Sequence, residues 1–235
     1  MKTMLVLIAL CLAGSAWAGQ IVIERISGDV SVRHGVTEIW TQAAPGDILR
    51  PDDTMKTGKK GHAVLVATAG TDANGAHKRI DLPGDVIVDM SDIRELSQEE
   101  LMLKLTMEKV RASSYQWKQD DLQIPNAPVI HGEDKGSAPA LQANSLTTGI
   151  MELNGAHVLF NNGFFATCAL KGMEVFREFP PLAGEFHNRL LVAEALEKAN
   201  LRGEALSEYG TIASLAALTP EQSSLVHERM AALRK

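Results

Sequence analysis

The residue types that could do chemistry are few in this sequence, and their spacing does not suit catalysis. Cys168 has His157 eleven positions before it, but a Cys–His pair works only within hydrogen-bond distance. Inside an apolar helical run the thiol is expected to be buried and inert. The seven histidines are scattered, and none forms the i, i+4 pair with a glutamate that a helical zinc hydrolase needs. His131, Glu133 and Asp134 lie close together and could hold a divalent metal weakly, but a solvated polar segment explains them as well. The pairs Asp52-Asp53 and Asp120-Asp121 are adjacent, so their carboxylates point apart on a strand and diverge on a helix. Thr57-Gly58-Lys59-Lys60-Gly61 carries lysines without the glycine spacing of a phosphate cradle. The expectation is therefore no catalytic residue, no bound metal, no cofactor and no enzyme activity.

The elements that must position such residues begin after an unusual first stretch. Lys2, the apolar run from Met4 to Ala13 and then Ala16-Trp17-Ala18 read as a cleavable export signal over residues 1–18. The run is too short to cross a bilayer as an anchor, which takes roughly 20 apolar residues. Cys11 suggests lipidation, but Leu10 before it is bulky. Removal of the segment leaves Cys168 without a disulfide partner, so cores must come from ordinary apolar burial. The whole chain has 235 residues, 45% of them hydrophobic, with 23 Lys and Arg against 29 Asp and Glu. It is too apolar for disorder and too acidic for a nucleic-acid footprint.

From Ile21 to Asp89, short Val-, Ile- and Thr-rich segments alternate with turn residues every eight to twelve positions, predicting an all-β unit of seven or eight strands. The apolar run His62–Thr68 suits a central strand, and Asn74-Gly75 a tight hairpin. The period changes at Leu96. Ser97 and Glu100 form a capping-box pair, and Leu103, Met107 and Val110 recur at helical spacing, with Leu101 and Leu105 widening the stripe. A connecting helix is expected within 96–118. Residues 119–148, with Pro125, Pro128 and Pro139, read as a flexible linker that leaves the halves free to move. Helical periodicity then runs to the end, and Thr219-Pro220 with Gln222 marks the last helix start.

Two resemblances follow. Gly28-Asp29-Val30-Ser31-Val32, Trp40, Gly46-Asp47-Ile48-Leu49, Thr57-Gly58, Ala63-Val64-Leu65 and Ile80-Asp81-Leu82-Pro83 stand in the order seen in the FecR-type periplasmic domain, so roughly residues 26–90 resemble that domain, within an expected β domain of 19–95. Ala193, Ala205 and Tyr209 resemble the telling positions of a tetratricopeptide repeat, with Gly163, Val175 and Phe179 as a degenerate copy 30 residues earlier. The implied fold class is α+β in two domains: a sandwich-like all-β FecR-type domain, then an all-α helical-hairpin domain over 149–235. The second resemblance implies a partner-binding concave surface carrying His157, Phe160, Phe164, Thr167, Cys168, His187, Leu190, Glu194, Glu197 and Lys198.

Together these features predict a periplasmic, non-enzymatic binding or scaffold protein. Its expected partner is a protein of the cell envelope. Lys59-Lys60 and Lys78-Arg79 could add an anionic envelope polymer if they share a face, and peripheral membrane association is compatible with the chain. A sensor subunit of a signalling complex is the alternative, and an envelope hydrolase using a histidine and an acid at the domain junction is the third.

Overall fold

The computed structural model describes residues 20–71, 77–120 and 138–235. The expected export segment, the expected hairpin at Asn74-Gly75, the His131 group and most of the expected linker lie outside these residues. The N-terminal part forms two four-stranded antiparallel sheets. One has the order β4 (Ile48–Leu49), β1 (Ile21–Ser27), β6 (His62–Thr71), β7 (His77–Leu82); the other has β3 (Trp40–Gln42), β2 (Val30–Arg33), β5 (Thr54–Thr57), β8 (Val86–Asp89). Alternation decides which side chains are inward: Val30 and Val32 are buried while Ser31 and Arg33 are not. Ile23, Leu65 and Ile80 from the first sheet join Val30, Met55 and Val88 from the second in one hydrophobic cluster. The run His62–Thr68 does fall on an interior strand, β6, between β1 and β7. Thr57 is one of the polar residues buried inside, with Asp53 and Thr54. Its hydroxyl donates to the Pro83 carbonyl at 2.6 Å and accepts from the Val86 amide at 3.0 Å, closing the β5–β8 end.

A 3-10 turn, Met90–Asp92, leads to α1 (Gln98–Asp120). The Ser97 hydroxyl accepts from the Glu100 amide at 3.2 Å, but the Glu100 carboxylate is drawn away to Arg94, so only half of the expected capping box forms. The buried stripe also differs from the expected one. Leu101 and Leu105 are buried, whereas Leu103, Met107 and Val110 are 63%, 47% and 62% exposed. Each buried leucine contributes about 1.5–3 kcal/mol, enough to turn this face inward against a wider but weaker stripe.

The remaining helices are α2 (Ala138–Asn161), α3 (Phe165–Glu178), α4 (Phe186–Lys198), α5 (Arg202–Ala213) and α6 (Pro220–Leu233). Residues 138–148, read as linker from sequence, are the first turns of α2, with Pro139 in the initial turn where it disturbs no hydrogen bond. Successive helices pack as antiparallel hairpins, and α6 starts on the expected capping box of Thr219 and Gln222. The two hairpin turns are alike in detail. Gly163 and Asn200 both have left-handed backbone, φ +80° and +61°. The Phe164 and Leu201 amides each donate to a leucine carbonyl, Leu159 and Leu196, at 2.9 Å. Both pairs are 37 positions apart (200 minus 163, 201 minus 164). The structural counterparts of Ala193 and Ala205 are therefore Ala156 and Cys168, both fully buried, and not the Gly163 and Val175 that a 30-residue offset selects.

The halves do not hang apart. α2 lies against β8 so closely that a Cβ on Gly155 would stand 2.0 Å from the Ile87 carbonyl oxygen. Asn154 donates to the Asp85 carbonyl at 2.8 Å, and the Lys78 ammonium sits 3.7 Å from the centroid of Phe164. One cluster of buried side chains runs from Ile21 through Leu101 and Leu159 to Val226. The expected independent motion of two linked domains gives way to a shared core, because the outer face of β8 carries Ile87, which α2 must cover.

Candidate functional site

Cys168 is fully buried, and burial pushes its thiol up to about 12 despite a hydrogen bond to the Phe160 backbone. It is protonated at any physiological pH and cannot serve as a nucleophile. The Asp52-Asp53 pair splits as expected: Asp53 is buried, receiving the Arg50 amide at 2.8 Å and standing 3.0 Å from His34 Nδ1, while Asp52 is exposed. Among the described residues no cluster of three His, Cys, Asp or Glu side chains could hold a metal ion.

The ten positions placed on one concave surface do not share one setting. Phe164, Thr167 and Cys168 are buried core, and Lys78 caps Phe164. Phe164 is turned toward the β unit, and Thr167 lines a cavity beside α1. Phe160 does meet Lys198: the ammonium lies 5.9 Å from its centroid and 5.4 Å from that of Phe165, and the two rings pack edge to face at 5.3 Å. His157 is exposed on α2. Glu197 accepts from the Tyr209 hydroxyl at 2.9 Å and faces Arg229 at 3.6 Å. It therefore ties α4 to α5 and α6. Glu194 and Leu190 are partly buried on α4, and His187 lies exposed at its start beside Phe186. The basic clusters are also divided, since Lys78 is spent on Phe164 and Arg79 pairs with Glu24 at 2.8 Å. Lys59 and Lys60 remain as an exposed turn.

A different constellation occupies the junction of the halves. Lys171 on α3 is 7% exposed, with Nζ 2.7 Å from Asp89, 3.4 Å from Glu174 and 3.9 Å from Glu152. Burial by itself would lower its pKa, but Asp89, Asp92, Glu174 and Glu152 outweigh burial and raise it, so the group is a permanent ammonium. Asp89 shows the reverse balance. Burial pushes it up, and Lys171 together with the Thr54 hydroxyl at 2.6 Å pulls it below the ordinary value. Burial dominates at Asp92, which rises to about 7 even with Lys171 nearby, and it raises Glu152 as well. These groups adjoin a cavity of about 270 Å³ lined by Asp92, Lys104, Met107, Glu108, Lys171 and Glu174 among others. A carboxylic acid poised near neutrality can exchange a proton there, but Lys171 is no nucleophile and, among the described residues, no histidine lines the cavity. Sequence patterning missed this centre. Its one signal was a lysine between Leu170 and Gly172 on the buried face of a helix.

On the other side of α1 lies a larger groove of about 490 Å³, lined by Lys109, Ala112, Met173, Phe176, Pro180 and Ala183. Ion pairs border it: Glu108 with Arg177 at 3.0 Å, and Arg189 with Glu208 at 2.5 Å. Arg189 also stacks over Phe176, 5.2 Å from its centroid, and donates to the Ala183 carbonyl. Its lining is thus half apolar and half charged.

In comparisons with protein-family models and with curated proteins, nothing matches this sequence.

Proposed function

We propose that the chain is an exported, non-enzymatic binding protein of the cell envelope, periplasmic in location, whose helical half grips an apolar side chain of a protein partner. The observation that carries the reading is the 490 Å³ groove, lined by Met173, Phe176 and Pro180 together with the Glu108–Arg177 and Arg189–Glu208 ion pairs. Anchors of protein interfaces are apolar or aromatic side chains in such pockets, ringed by polar groups that exclude water. The FecR-like reading of the β unit and the tetratricopeptide-like reading of the hairpins agree with a binding role, and residues 1–18 supply the compartment. A hydrolase at the junction has Asp92 in its favour, but an acid without an activated nucleophile or a partner base is half of a mechanism.

A photo-reactive residue placed at Met173 in intact cells tests the proposal. One protein should be captured from position 173 and not from Arg202, which is exposed at the start of α5. Absence of any adduct at 173, with hydrolytic turnover abolished by Asp92→Asn, reverses the assignment.

A further inference from the structure

Among the described residues helix α1 has two apolar stripes, one buried and one largely exposed. The inner stripe is buried through Leu101 and Leu105 and continues into the Glu108–Arg177 ion pair. The outer line, Leu103, Thr106, Met107 and Val110, is exposed, with Met102 at its margin 41% exposed. Apolar residues at i, i+4 and i+7 form the seam of a paired helix; Leu103 and Val110 stand open on it, while Met107 also borders the junction cavity across from α3.

We propose that this seam binds the same seam of a second copy of the chain, the two α1 helices lying antiparallel about a two-fold axis. The charges choose the occupant and its direction. Glu99 lies one helical step before Leu103 on the seam, and Lys109 and Arg111 flank its other end on either side of Val110. With Glu99 set opposite the second copy's Val110, Leu103 meets Thr106, and each Glu99 sits between a lysine and an arginine of the opposing helix. Arg111 meanwhile keeps its own Glu108. A parallel pair would bring Glu99 against Glu99. Symmetry repeats the favourable contact at both ends, as an isologous interface requires. A patch of four apolar side chains falls short of the ~800 Å² that each partner buries in a stable interface, so the dimer is reversible and concentration-dependent. The proposal does not rest on the groove reading above: Leu103, Thr106, Met107 and Val110 line no part of that groove, and only Lys109 borders both.

Sedimentation velocity of the purified full chain across a concentration series tests the pairing. The expected result is a monomer–dimer equilibrium that Leu103→Glu and Val110→Glu each weaken at least tenfold while leaving far-ultraviolet circular dichroism and Tm unchanged. Register is read separately by mild oxidation: Leu103→Cys mixed with Thr106→Cys should give covalent dimers well above either variant alone. A chain that stays monomeric at every concentration overturns the proposal, as does a dimer indifferent to both glutamate variants. Strong cross-linking by Leu103→Cys alone, the mark of a parallel pair, overturns it too.

Discussion

Replacing Asp92 with Asn removes a carboxylate that the fold keeps protonated close to neutrality. In the folded chain its pKa is about 7 against an ordinary 3.8, because burial disfavours the anion more than Lys171 favours it. A raised carboxylate pKa makes the folded state bind the proton more tightly than the unfolded chain. Stability contributed by Asp92 therefore falls as pH rises from about 4 to about 7 and is level above that. The shift of roughly three units corresponds to about 4 kcal/mol as an upper bound. The groups facing Asp92 set the size of this effect: Asp89 from β8, Lys104 from α1, Lys171 and Glu174 from α3. Asn keeps the shape without the charge. Urea denaturation at pH 4.5, 6 and 8 should find the variant close to the parent in acid and more stable by up to about 4 kcal/mol at pH 8, with the gap opening before pH 7 and then holding. Parallel profiles, or a variant less stable at pH 8, would refute the view that burial dominates at this carboxyl.

Three further outcomes follow from single contacts. Gly155→Ala should lower Tm by several degrees and loosen the contact between the halves, seen as faster amide exchange on β8, since its methyl would meet the Ile87 carbonyl at 2.0 Å. Thr219→Ala should cost about 1 kcal/mol in a chemical melt by removing the α6 cap. In the native protein Cys168 should resist a thiol reagent at pH 8 and react at once in denaturant, because its thiol is raised to about 12 and fully buried.

How much of this was legible in the sequence varied with the kind of interaction. Alternation fixed the β strands: Val30-Ser31-Val32-Arg33 needs one buried face, and β2 has one. The Thr219 cap is a local motif and formed as written. The α1 stripe was misread because Leu103, Met107 and Val110 match a helical period as well as Leu101 and Leu105 do, and only the neighbouring α3 decides between them. The hairpin repeat was misaligned for a similar reason. Small residues at Gly163 and Ala193 look equivalent in a string, yet one serves a left-handed turn and the other a helix contact. The Lys171 centre depends on β8, the 3-10 turn, α2 and α3 meeting, a coincidence of distant segments that no local spacing records. Of the ten surface positions read from the repeat resemblance, Phe160 and Lys198 were brought together because the ends of α2 and α4 lie side by side, whereas Phe164 turned into the junction under Lys78.

The close seat of α2 on β8 bears on why so short a helical array can exist. Stacked hairpins leave an open apolar end wherever the series stops, and long arrays close it with a dedicated terminal helix. Here α6 closes one end and the outer surface of a β-sheet closes the other. Severed from its strands, the helical segment would present a raw flank around Gly155 and Leu159 to water, and should clump rather than stand as a free module.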